Sequence, residues 1–260
     1  MTSDLFLIHV GTALHSWLNY VSAVERGYVL SENSIIYPVS EFIGTKTSVD
    51  EIWLDRLHPN LSGKRLDLRF FAMLDALPHE VAMEFKYARV GYTDGPSEKQ
   101  RILDDILRLK IFTESKSNRK AYFLICGDQI DFFKAFQSID WSTQIDKDGR
   151  PYPQIMGIDE IKDLGVVKPF GFYTNWFKFD PEAAANDKMI DITINDNKSV
   201  PVEFLEGFYK KYEGSFEDSM NRSKFETSKV RTRLVYLSDL SNLEGIKKQM
   251  RVGMWEISNV

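Results

Sequence analysis

The run Ala121 to Cys126 is apolar at every position. At about six residues it is too short for an ordinary helix, and it reads as a strand buried on both faces. Such a strand belongs inside a sheet with helices packed on it, which is the α/β class. The flanking segments agree. Ser97 followed by Gln100 has the spacing of a capping box, with Ser97 as N-cap. The helix behind it carries Ile102, Leu103, Ile106, Leu107 and Leu109. After the buried strand, Ile130 to Ile139 reads as a second helix.

Upstream, Lys64 to Leu74 and Val81 to Val90 are strand-like, and Asp75 to His79 between them is a turn. Together they predict an antiparallel hairpin. Leu5, Ile8, Leu14, Trp17, Leu18, Val21 and Val24 recur at helical spacing, and Gly27 stands where that helix stops. Pro38 is expected to open a short helix carrying Val39, Glu41, Phe42 and Ile43. The order helix, hairpin, helix, buried strand, helix gives a sheet of mixed strand direction. Further strands are expected at Phe170 to Phe179, Ile190 to Phe204 (turning at Asp196-Asn197), Val230 to Leu237 and Gly253 to Ile257. Helices are expected at Glu203 to Met220 and Leu240 to Met250. No linker or repeat is visible, so the chain reads as one elaborated domain: a core of about 38–140, with 141–260 adding peripheral strands and helices.

Composition excludes several classes. With 260 residues, 43% hydrophobic and 13% aromatic, the bulk is not disordered. No apolar run approaches the roughly 20 residues of a membrane span, so no membrane partner is expected. The first residues show no basic segment followed by an apolar stretch, and a lone cysteine, Cys126, allows neither an internal disulfide nor a cysteine zinc cage. A reducing, cytoplasmic setting fits these features. Net charge is -5, from 33 basic and 38 acidic residues. That argues against a wholly cationic surface but leaves room for a local basic groove.

The chemistry concentrates in Arg65-Leu66-Asp67-Leu68-Arg69 and Met83-Glu84-Phe85-Lys86-Tyr87. Alternate strand residues share a face, so Glu84 and Lys86 lie side by side. The hairpin brings Asp67 roughly opposite them. Two carboxylates this close repel unless a cation sits between them or one is protonated. Hard oxygen donors suit Mg²⁺ or Mn²⁺, and such an ion readily takes a phosphate oxygen as a further ligand. The bland alternative is a solvated Glu-x-Lys of little energetic worth; Glu114-Ser-Lys116 and Glu160-Ile-Lys162 repeat that pattern without the context.

The combination of hairpin, helix and buried strand resembles the PD-(D/E)XK phosphodiesterase superfamily, the restriction-endonuclease-like fold, over roughly Pro38 to Cys126. The resemblance implies a mixed sheet flanked by helices with additional C-terminal elements. It also implies an endonuclease that holds divalent metal and cuts nucleic-acid backbones, DNA above all. Carried over, Asp67 and Glu84 are metal ligands and Lys86 assists the attacking water. A further glutamate from a preceding helix is implied, with Glu41 the first candidate and Glu32 the second. The proline that the family places before the aspartate is absent, and Leu66 stands there. A homodimer and a role in restriction or host defence come from the resemblance alone. Some relatives only bind, so a catalytically inactive nucleic-acid-binding or regulatory protein is the alternative. A protein-interaction subunit is a third reading.

Lys99 and Arg101 open the helix after the hairpin, Arg119 and Lys120 share one loop with Lys116, and Lys229 and Arg231 fall in a basic stretch. These are the candidate phosphate contacts; for the loop and the basic stretch, a solvated charged surface is the alternative. Tyr92, Tyr173 and Trp176 could stack on bases or pack the core. His9, His15, His58 and His79 are scattered and expected to be structural, and Cys126 is a packed thiol.

Overall fold

The computed structural model describes residues 2–46, 52–88, 96–132, 172–215, 225, 227–239 and 248–260. Seven strands form one mixed sheet in the order β1-β2-β3-β4-β7-β6-β5. They are β1 (Ile52–Leu57), β2 (Arg65–Leu74), β3 (Leu77–Ala88), β4 (Arg119–Asp128), β5 (Met189–Thr193), β6 (Lys229–Leu237) and β7 (Met250–Asn259). Helices α1 (Ser3–Ala23) and α2 (Glu32–Lys46) cover one face. Helices α3 (Pro96–Glu114) and α5 (Val202–Tyr212) cover the other, and a short α4 (Gln129–Phe132) follows β4. The class is therefore α/β, as the buried strand requires.

Each core follows from strand alternation. In β4, Tyr122, Leu124 and Cys126 pack under α1 and α2, whereas Ala121, Phe123 and Ile125 pack under α3. Strand β4 runs parallel to β3 and antiparallel to β7, so the C-terminal strands extend the same sheet next to its most buried member. In the middle of α1, Gly11 lets the helix lie on β6, because a Cβ there would stand 2.3 Å from the Tyr236 ring.

Several local expectations change. Pro38 lies inside α2, which begins at Glu32. Helix α3 begins at Pro96, so Ser97 is already within its first turn. Gln100 faces inward: its Nε2 donates to Asp104 Oδ1 at 2.7 Å and to the Phe204 carbonyl at 2.9 Å. The hairpin turn is only Asp75-Ala76, and Leu77 to His79 already belong to β3. Strand β1 had no sequence reading. Phe172–Asn175 is a 3-10 turn rather than a strand. After β5 the Asp196-Asn197 turn leads into α5, because Asn197 Oδ1 accepts the Val202 N–H and starts a helix there. Met250 opens β7 and Lys248 and Gln249 before it are not helical, while residues 240–247 of the helix expected at Leu240 to Met250 lie outside the described residues, as do most of Ile130 to Ile139 and the end of Glu203 to Met220. Among the described residues, no helix is long and apolar enough to cross a membrane.

The two-residue turn places both Asp75 (φ 53) and Ala76 (φ 62) in the left-handed region. This is the backbone of a primed hairpin turn, which matches strand twist but strains a residue with a Cβ. Asp75 has compensation, since its carboxylate accepts from the Ser3 amide at 3.0 Å and from Lys120 Nζ at 2.9 Å. The Ala76 methyl can make no such bond. Ala76→Gly is expected to raise unfolding free energy by roughly 0.5–1 kcal/mol, after the entropy that glycine adds to the unfolded chain. Urea titration monitored by tryptophan fluorescence measures it.

Candidate active site

Strand β2 breaks its ladders at Asp67. Pairing with β3 runs from Leu74↔Leu77 to Leu68↔Met83 and goes no further. Pairing with β1 passes from Leu54↔Leu68 to Arg56↔Leu66, skipping Asp55, whose φ is 48. Leu66 packs into the α3-side core and Leu68 into the α1–α2 core, although residues two apart share a face in a regular strand. The chain thus twists at Asp67. The Asp67 Oδ2 atom accepts the Phe85 N–H at 2.9 Å, taking the place of a ladder bond. That bond fixes the carboxylate beside Glu84.

Four carboxylates meet around this break: Asp67 of β2, Glu84 of β3, Asp105 of α3 and Glu32 at the start of α2. Two cations stand among them. Lys86 Nζ lies 2.8 Å from Asp105 Oδ2, 3.2 Å from Glu32 Oε2 and 3.1 Å from the Phe85 carbonyl. Arg108 Nη2 lies 2.9 Å from Glu84 Oε1 and also pairs with Asp105 Oδ1. Its Nη1 donates to the Arg65 carbonyl at 3.0 Å, and its own carbonyl meets His58 Nε2 at 3.0 Å. His58 is buried, and desolvation lowers its pKa to about 4, so at neutral pH it is an uncharged prop for this turn of α3.

Burial sets the chemistry. Glu84 has no exposed surface, and neither of its oxygens accepts an aligned hydrogen bond despite the nearby guanidinium. Desolvation pushes its pKa well up; Arg108 opposes this, while the neighbouring Asp67 and Asp105 carboxylates reinforce it. Glu32 is raised too, by desolvation first, with Lys86 opposing. For Lys86, desolvation favours the neutral amine, but Asp105 and Glu32 override it and hold the ammonium. The same balance holds Arg108 charged through Glu84 and Asp105. Four carboxylates against two cations leave two negative charges uncompensated. Burial favours a proton on Glu84 and, more weakly, on Glu32, which acts against that excess. A divalent cation would answer it equally, and acidic oxygen donors are the type Mg²⁺ and Mn²⁺ prefer. Among the described residues, however, no three acidic, histidine or cysteine side chains are set as ready-made ligands. Here Asp105, Glu32 and Glu84 face Lys86 and Arg108.

The structure brings Asp67, Glu84 and Lys86 together. Glu41 is exposed on α2, nine residues beyond Glu32 and so about 13 Å along the helix. Glu32 is the α2 glutamate that reaches Lys86, since α2 starts there and not at Pro38. Sequence reasoning missed Asp105 and Arg108. Their signal was a pair of aspartates, Asp104 and Asp105, inside the apolar stripe Ile102 to Leu107.

The basic candidates fare differently. Arg119 is buried, donating to Glu80 Oε2 at 2.7 Å and Asn60 Oδ1 at 2.7 Å, which makes it a structural tie. Lys120 pairs with Asp75, and Arg231 with Asp191 at 2.7 Å. Lys229 and Arg231 are on β6, three strands from β3 and therefore about 15 Å away. Arg101 is exposed one helical turn before Asp105 and pairs with Glu98, and Lys99 is half-buried beside it. Tyr173 and Trp176 are fully buried core residues; Tyr92 lies outside the described residues. His79 caps the Asn118 carbonyl, His15 meets the Met250 carbonyl, and Cys126 is buried with its thiol pKa pushed up by desolvation. No protein-family model, curated protein or solved structure matches the chain.

The raised Glu84 pKa has a definite sign in stability. A carboxyl that binds its proton more tightly when folded contributes stability that is complete below its unfolded pKa, about 4.3, and lost as pH rises through the folded value. In chelator, wild-type protein should therefore lose stability relative to Glu84→Gln as pH goes from 5 to 8. Paired urea titrations across that range read the difference; a gap that stays constant would contradict the assignment.

Proposed function

We propose that the protein is a divalent-metal-dependent endonuclease hydrolysing phosphodiester bonds in DNA, on a restriction-endonuclease-like version of this α/β sheet. The observation that carries the reading is the charge imbalance at the β2 break: a solvent-free Glu84 without an aligned donor, beside Asp67, in a cluster two negative charges in excess. A bound Mg²⁺ or Mn²⁺ would supply Lewis-acid stabilisation of a phosphoryl oxygen and a lowered pKa for a water.

The chain's own residues do the rest. Asp67, clamped by the Phe85 amide, and Glu84 would hold the ion at the fork between β2 and β3. Lys86 is fixed as an ammonium, so it is no proton acceptor near neutral pH. Its role is to orient the attacking water by hydrogen bonding and offset charge developing on the phosphate. Asp105 and Glu32 aim that ammonium from α3 and α2. Lys99 and Arg101, at the start of α3, are the basic candidates nearest the cluster for phosphate contact. A homodimer and a restriction or defence role accompany the reading by resemblance only.

One observation favours the alternative, a catalytically inactive nucleic-acid-binding or regulatory protein: Lys86 and Glu84 already face internal counter-ions. Plasmid and single-stranded substrates incubated with Mg²⁺, Mn²⁺ or EDTA separate the two. The nuclease cuts only with metal. Asp67→Asn and Lys86→Gln each slow it by about 100-fold or more while DNA retention on a gel persists. Retention without cleavage at any metal concentration supports the inactive binder. Neither cleavage nor retention leaves the interaction subunit.

A further inference from the structure

A single nitrogen, Arg108 Nη2, stands between two carboxylates of the cluster, 2.9 Å from Glu84 Oε1 and in contact with Asp105 Oδ1. Its positive charge thus already occupies Glu84, one of the two carboxylates that would hold the ion. The guanidinium is held by more than charge: Nη1 donates to the Arg65 carbonyl at 3.0 Å, and His58 props the Arg108 carbonyl. Yet the fit is poor in one respect. Neither Glu84 oxygen accepts an aligned hydrogen bond, and the Arg108 Nε is buried with no partner. The pairing with Glu84 is attraction without the forked bidentate geometry that makes arginine–carboxylate bonds strong. Such a contact is easy to exchange for a better one.

We propose that Arg108 is a built-in competitor of the divalent cation: it occupies Glu84 and Asp105 in the metal-free protein and must release Glu84 when metal binds, thereby setting the metal affinity of the site. This rests on the metal-site reading above and adds a regulating residue to it. The physical need is clear. Without a counter-ion, the empty site would hold Glu84 and Asp105, both almost wholly withdrawn from water, side by side. The guanidinium limits that penalty during folding. It does so at the expense of metal affinity, because the entering ion has to displace it. Its side chain is 17% exposed, so the guanidinium stands at the edge of the cluster and not sealed inside it.

The sign distinguishes this role from a merely structural one. Loss of a structural prop loosens the site and weakens metal binding, whereas loss of a competitor strengthens it. Calorimetric titration of chelator-stripped full-length protein with Mn²⁺ reads the effect. Wild type, Arg108→Gln, Arg108→Lys and Asp67→Asn are compared under one buffer and pH. Arg108→Gln should bind Mn²⁺ about tenfold or more tightly than wild type, the equivalent of roughly 1.4 kcal/mol. Arg108→Lys, which keeps the charge but not the reach, should fall between them and remains the deciding variant if Arg108→Gln does not fold without metal. Wild-type binding abolished by Asp67→Asn, with unchanged or weaker binding in both Arg108 variants, overturns the competitor role and leaves the metal site standing. Absence of Asp67-dependent Mn²⁺ binding in wild type and in the Arg108 variants overturns both.

Discussion

Glu84 is an ionisable side chain with no contact with water, and the site is organised around that fact. A carboxylate removed from solvent loses its hydration and needs a cation, a set of hydrogen-bond donors or a proton in exchange. Aligned donors are missing, and the nearest cation, Arg108, is shared with Asp105. Asp67 adds a second acid from the neighbouring strand. The fold holds this arrangement because Glu84 belongs to β3, paired to β4 along most of its length, and β4 is the most buried strand of the sheet. The backbone cannot move Glu84 outward without dismantling that ladder.

The break in β2 is the complement of that rigidity. A continuous hairpin would close the fork between β2 and β3 with backbone hydrogen bonds. The Asp67 side chain instead takes the Phe85 amide, and Asp55 leaves the regular region on the other side. The two helical layers then send one group each across the sheet, Glu32 from α2 and Asp105 from α3, onto the same Lys86 ammonium. A cluster with contributions from both layers forms only when both have docked. Its integrity therefore reports the folded sheet, which ties the chemistry of the site to the stability of the core.

Much of this was legible in the residues alone. Ala121 to Cys126 announced a strand covered on both sides, and the hairpin announced Asp67 close to Glu84 and Lys86. Both signals are short-range, set by alternation and by a turn. The rest depended on long-range packing. Asp105 and Arg108 meet β3 through the docking of α3, and the spacing within a helix does not say which strand it will lie upon. With Pro38 read as a helix start, Glu41 is the first candidate; the helix begins six residues earlier, and Glu32 holds the reaching position instead. Arg119 reads in the sequence as part of a basic loop, but a register that sets it opposite Glu80 on β3 makes it a buried tie. The Asp104-Asp105 pair within an apolar stripe was the one local sign of a buried acidic site.

Burial favours a proton on Glu84, and on the metal-site reading proposed above a divalent cation competes with that proton and expels it on binding. Mn²⁺ titrated into the metal-free protein at pH 6, in a series of buffers with different ionisation enthalpies, counts the released protons directly. The account predicts a binding enthalpy that varies with the buffer and corresponds to about one proton or more released per ion, and a smaller release for Glu84→Gln. A binding enthalpy independent of the buffer, with Glu84→Gln indistinguishable from wild type, would contradict it.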